Sequence, residues 1–165
     1  MAMESSVLLD EIGRKLIGVL QEDARLPFAE IGRRIGLSPA ATTERLRRLE
    51  EVGVIAGYRV ELDREALGLP ILAIVRLSCD GTRYRPFLKA VEGLENVVEC
   101  HHVAGGDAFI LKVVAASVVE LERLVEKLLD FGVPTTSIVF SSPVERRPLR
   151  CGAGWQGHPL GPADC

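Results

Sequence analysis

Between Arg33 and Arg48 the chain sets five arginines (Arg33, Arg34, Arg45, Arg47, Arg48) against one acid, Glu44. That island carries a net charge of +4 inside a protein whose net charge is −3. Guanidinium groups gathered this way are the electrostatic footprint of a phosphate-binding surface. At about 100° per residue, Ala40, Glu44, Arg47 and Arg48 fall opposite the apolar stripe Thr42, Leu46, Leu49, with Thr43 and Arg45 on its flanks. Such a face can read base edges: Arg pairs bidentately with guanine, Glu accepts from cytosine, and Ala and Thr methyls meet the thymine methyl. Arg33, Arg34 and Arg48 suit phosphate contacts, as do Ser38 and the helix N-terminus it opens. A solvated helix face rich in helix-favouring arginines has the same composition, so the elements around it must decide.

Those elements are a short helix, a turn and a second helix. Phe28, Ile31 and Ile35 recur on one helical face. Gly36 sits where that helix stops, Leu37 is an apolar plug, Ser38 is an N-cap, and Pro39 is pre-organised for the first helical position. Thr42, Leu46 and Leu49 form the buried stripe of the second helix, which Gly53 ends. Two helices joined by a three- or four-residue turn containing Gly make a helix-turn-helix, whose second helix can lie in the DNA major groove. Ahead of it, Leu9, Ile12, Leu16, Val19 and Leu20 mark a first amphipathic helix with Asp10 as cap. Residues 1–53 therefore read as a three-helix DNA-binding domain.

After Gly53 the rhythm changes. Val54, Ile55, Tyr58, Val60 and Leu62 suggest extended chain, a wing or linker strand, and Gly68 and Pro70 break the chain in a linker spanning residues 54–70. From Ile71 the pattern is strand (71–79), helix (84–91), strand (96–103), a Gly-Gly turn, strand (108–115), a helix capped by Ser117, and a last strand (134–141). That β-α-β-β-α-β order over residues 71–144 is the ferredoxin-like split βαβ fold. The whole is α+β. One sheet face is expected under the helices and the other open, awaiting a partner. Residues 145–165, with four prolines and four glycines from Pro143 onward and the single Trp155, are expected to form a flexible tail.

Other chemistry is sparse. Cys100-His101-His102 places Cys100 and His102 on one strand face and His101 on the other. A metal site needs three or four convergent ligands, and none are spaced for it. No nucleophile–base pair or convergent carboxylates are visible, so no catalytic residue, metal or cofactor is expected. In the turn Gly105-Gly106-Asp107-Ala108, the backbone N–H groups can cradle a carboxylate. With 47% hydrophobic residues the chain can bury a core. It has no apolar run of ~18 residues and no signal-peptide pattern. Its four scattered cysteines do not form a disulfide framework, which fits a cytoplasmic protein with reduced thiols.

With both halves placed, the chain resembles the Lrp/AsnC (feast/famine) family of transcription regulators. The matching stretches are LLDEIGRKLIGVLQEDAR (8–25), IGRRIGLSPAATTERLRRLEEVGVIAGYRVELD (31–63) and VVECHHVAGGDAFILKVVA (97–115). The resemblance implies a RAM-type C-terminal domain that dimerises, with assembly to octamers or larger, and DNA read by two helix-turn-helix units about a twofold axis. The stretch from Ile55 to Glu61 would pair across the dimer. An amino acid or other small metabolite would bind between dimers. Family members that bind amino acids carry G-x-x-D in the turn before the ILKV-like strand. Here Gly105 matches the Gly, Ala108 stands at the Asp, and Asp107 comes one residue early. Sirohaem decarboxylases share the fold, but their aromatic, arginine-bearing stretch is replaced here by HHVAGGDAFILKV. An effector-sensing module without DNA binding is a third reading, opposed by the Ser38-Pro39 turn and the arginines.

Overall fold

The computed structural model describes residues 8–149, which divide into two compact units. One holds the described residues up to Val60 together with those from Val144; the other runs Glu61–Pro143. The first unit contains α1 (Glu11–Glu22), α2 (Phe28–Ile35) and α3 (Pro39–Glu51). The second contains β1 (Ile71–Ser78), α4 (Gly81–Val91), β2 (Val97–His102), β3 (Phe109–Ala115), α5 (Val118–Leu129) and β4 (Val133–Ile138).

In the first unit α1 and α3 start, and α2 stops, where local chemistry says. The Gly13 N–H donates to Asp10 Oδ1 at 2.8 Å, the expected cap of α1. Gly36 ends α2 at φ 78°, the left-handed region that only glycine enters freely. The Ala41 N–H donates to Ser38 Oγ at 3.2 Å, and Pro39 opens α3. Leu16, Ile31 and Leu49 are wholly buried at the junction of the three helices, with Leu9 and Ile35 beside them and Leu37 packed against the cluster. Phe28 corrects the sequence reading. It stands at the first position of α2 and is 44% exposed, and Leu26 from the preceding turn packs on the core instead.

In the second unit the sheet order is β2-β3-β1-β4, with every neighbour antiparallel. This is the expected ferredoxin-like arrangement. Val75 lies opposite both Leu111 on β3 and Thr136 on β4, which fixes the register of the central strands. Ala73, Val75, Leu77, Phe109, Leu111 and Val113 point to the face covered by Phe87 of α4 and Leu121, Leu124 and Leu128 of α5. Ser117 caps α5 as expected, accepting from the Glu120 N–H at 3.2 Å. The start of α4 moves from Tyr84 to Gly81. Asp80 accepts from the N–H groups of Thr82 and Arg83 at 2.9 and 3.1 Å, a cap that lengthens the helix by one turn.

Two expectations concern the connecting and terminal segments. Residues 56–63 belong to no helix and to none of the strands among the described residues. Tyr58, Val60 and Leu62 are 50, 83 and 66% exposed. Of the tail, residues 145–149 are described, and the Gln21 side-chain amide pairs with the Leu149 backbone through two hydrogen bonds, of 2.7 and 3.0 Å. The expectation for residues 150–165, Trp155 included, lies outside the described residues. No helix among the described residues is long and apolar enough to cross a membrane.

Candidate functional site

Helices α2 and α3 meet at close quarters, and Gly32 is what allows it. A Cβ built on Gly32 would lie 2.5 Å from the Leu37 carbonyl oxygen and 2.8 Å from Thr42 Oγ1. Thr42 is fully buried, and its hydroxyl donates to the Ser38 carbonyl at 2.9 Å. The turn is therefore locked from both sides, and α3 leaves it with one face committed to the core. Its outer face carries Ala40, Thr43, Arg47 and Arg48 in solvent, with Glu44 half-buried between them. Ser38, at the head of α3, and Arg33 and Arg34, on α2, are also exposed. The structure thus brings eight of the nine residues predicted for DNA onto the surface of the helix-turn-helix.

Arg45 is the ninth, and the structure turns it inward. Its guanidinium bonds to the Asp10 carboxylate and reaches the Leu8 carbonyl at 3.4 Å, with the side chain 21% exposed. Arg45 Nε is buried without a partner among the described residues. The position on the flank of the outer face was read correctly from helical geometry. The acid across the junction, 35 residues earlier in the chain, decides which way the long side chain lies.

The exposed arginines are not bare cations. Arg33 donates from Nε and Nη2 to the two carboxylate oxygens of Glu30, both at 2.8 Å, and Arg34 Nε donates to Glu30 Oε1 at 2.8 Å. Arg47 forks onto Glu44 at 3.1 and 2.9 Å, and Arg48 Nε donates to Glu44 Oε1 at 2.8 Å. Arg47 also bonds to Glu51. Hydrogen bonds from Arg33 and Arg34 hold the Glu30 carboxyl down at about 2, and those from Arg47 and Arg48 do the same for Glu44. Counting charge only between Arg33 and Arg48 missed Glu30 and Glu51. The signal was present in their spacing, three and four residues from the arginines.

The Gly105–Ala108 turn joins β2 to β3. Gly105, at φ 139°, and Gly106 are exposed. The Ala108 N–H donates to the Leu77 carbonyl at 2.9 Å, and its side chain packs on the helix-covered core. Asp107 points the other way, with its carboxylate 3.6 Å from Arg76 Nη1 on β1. Ser78 Oγ donates to the Gly106 carbonyl at 3.2 Å. Arg76 and Ser78 had no place in the sequence reading, because only the β1–β3 register brings them beside this turn.

The Cys100-His101-His102 run alternates as expected. Cys100 packs on the core, and burial pushes its thiol up. His102 lies against Tyr84 and Phe109 with ring centroids 4.9 and 5.4 Å away, while His101 faces Glu99 at 3.4 Å on the other side. Among the described residues no three His, Cys, Asp or Glu side chains converge as a metal site would require.

Comparison with known proteins bears on both units. The AsnC-type helix-turn-helix domain matches residues 9–50, and the Lrp/AsnC ligand binding domain matches residues 72–149. The transcriptional regulator LrpC of Bacillus subtilis is 36% identical over 133 residues, covering 81% of this chain and 92% of LrpC. The solved structure of LrpC superposes with a TM-score of 0.79 at 35% identity, covering 84% of this chain and 99% of that one. A feast or famine regulatory protein from Mycobacterium tuberculosis, complexed with L-methionine, gives a TM-score of 0.80 at 31% identity, covering 87 and 99% of the two chains. With both domains matched in order, the chain belongs to the Lrp/AsnC family of DNA-binding, helix-turn-helix transcriptional regulators.

Proposed function

We propose that α3 enters the major groove with Ala40, Thr43, Glu44 and Arg47 toward base edges, while Arg33, Arg34, Arg48 and Ser38 hold phosphates on either side. The outer face of α3 carries this reading. There a fork-shaped donor, two methyl-bearing small residues and flanking cations sit together in solvent beside a capped helix N-terminus. Arg45 is assigned to the scaffold, tying α3 to the start of α1. Replacing Arg47 with Ala should weaken binding to a site selected from random duplexes by the wild-type protein by about 1–3 kcal/mol, and binding to unselected DNA far less. Equal losses on both, measured by fluorescence anisotropy, would make Arg47 a phosphate contact.

The functional unit in this reading is a homodimer or a larger assembly such as an octamer. Its C-terminal units associate, and the exposed Tyr58, Val60 and Leu62 pair across the twofold axis. The Gly105, Gly106, Asp107 and Ala108 turn takes a small-molecule effector, an amino acid in the first instance. The two glycines are exposed there, and structural relatives from Neisseria meningitidis and Mycobacterium tuberculosis are complexes with L-methionine. With Ala108 turned into the core, Asp107 is the carboxylate available at the turn. A shift in light scattering or melting temperature on adding one of the twenty amino acids supports this assignment; indifference to all of them removes it.

A further inference from the structure

The helix-turn-helix contains one pattern twice. Glu30-Ile31-Gly32-Arg33-Arg34 on α2 and Glu44-Arg45-Leu46-Arg47-Arg48 on α3 both read E-x-x-R-R. Both fold into the same device. The carboxylate receives a fork of two bonds from the arginine three residues on and a single bond from the arginine four residues on. Arg33, Arg34, Arg47 and Arg48 are therefore each held by the carboxylate of their own helix, with Glu51 adding a second acid at Arg47. A carboxylate gripped by two guanidinium groups presents the oxygen geometry and charge that a DNA phosphate would present.

We propose that Glu30 and Glu44 are internal stand-ins for phosphate, which suppress binding to random DNA and so raise discrimination for the cognate site. The Glu30–Arg33–Arg34 group carries +1 rather than +2, and with Glu51 counted the group around Arg47 and Arg48 is neutral. A phosphate approaching from solvent must displace a carboxylate that stays attached to the same helix and repels it. On random DNA, backbone contacts supply nearly all the affinity, so the competition subtracts directly from it. On the cognate site, base contacts add a term that random DNA lacks and complete the exchange. The inference rests on the reading of Arg33, Arg34, Arg47 and Arg48 as DNA contacts.

The test uses the full chain and random 30-mer duplexes across a salt series. Glu30→Gln/Glu44→Gln keeps side-chain size and one acceptor oxygen on each residue, but removes both charges and the second oxygen of each fork. Its control, Glu11→Gln/Glu126→Gln, makes the same change in net charge at exposed helical positions outside the two triads. The triad variant should bind random DNA about tenfold more tightly at ~0.1 M salt. Its log K against log [salt] slope should be steeper by about one to two, at roughly 0.9 per phosphate gained. In Glu30→Gln alone, which leaves the base-facing Glu44 in place, the ratio of selected-site to random affinity should fall. Equal gains in variant and control would overturn the proposal, since a general charge effect would suffice, and so would no gain in either. Arg33→Ala/Arg48→Ala separates the layers. If it binds random DNA like the wild type, the reading of the interface is at fault. If it binds weakly while the glutamine variant is unchanged, only the role of the carboxylates is lost.

Discussion

At the scale of single residues, Glu30 and Glu44 make a statement about acid. Hydrogen bonds from their arginines hold both carboxyls at about 2, against 4.5 for a free glutamate. A carboxyl depressed by folding contributes stability that is complete above its unfolded value and is lost as pH falls through its folded one. The contribution from these two groups should therefore hold from neutrality down to pH 4.5 and disappear between there and about 2. Carboxyl-carbon NMR titration should find both midpoints near 2. Midpoints at the free-glutamate value would mean that the arginines spend most of their time in solvent. Tyr58 is displaced in the opposite sense, its hydroxyl pushed up to about 12 by burial and by the Glu50 carboxylate that accepts from it at 2.9 Å. The helical face of each arginine was legible in the sequence. Which acid it would hold was legible only for partners within one turn. Arg45 and Asp10, on different helices, were out of reach of that logic.

At the scale of elements, the turn between α2 and α3 is the most legible part of the molecule. Its signals are local: a glycine in the left-handed region, a serine cap and a proline at the first helical position, all where the chain order puts them. Gly32 carries no such signal, because the reason for it is the approach of the Leu37 carbonyl and the Thr42 hydroxyl. Gly32→Ala should destabilise the N-terminal unit by about 1–3 kcal/mol, the range for inserting a methyl into a packed contact. Urea unfolding measures it. A neutral effect would show that the turn can open by several tenths of an ångström without loss. Phe28 shows the reverse error. Helical spacing assigned it to the core, but the first position of a helix has no preceding turn to press it inward, and Leu26 filled the space.

The whole molecule sets an exposed apolar segment between its two units. Tyr58, Val60 and Leu62 alternate along the sequence, are at least half exposed, and lie in no strand among the described residues. Exposed apolar residues at alternating positions gain burial by pairing with a second copy. Under the dimer reading, Val60→Asp/Leu62→Asp should shift the protein toward monomer at micromolar concentration, as read by multi-angle light scattering. A wild-type protein that is monomeric throughout that range would remove the dimer reading itself. An unchanged mass in the variant would move the interface to the open face of the sheet, where Glu99, His101, Lys112 and Arg76 lie opposite the helices.

What the sequence determined by itself was whatever depends on neighbours along the chain. Caps, the glycine stop, the apolar stripes of the helices and the four strand-like runs are set within a turn or a pleat, and they were enough to order the elements and to point at α3. The tertiary structure decided what depends on neighbours across space. It committed Arg45 to Asp10, placed Asp107 over Arg76 through the β1–β3 register, and turned Ala108 into the core. Long charged side chains have many rotamers of similar energy, so their direction follows the distant charge that the fold brings near.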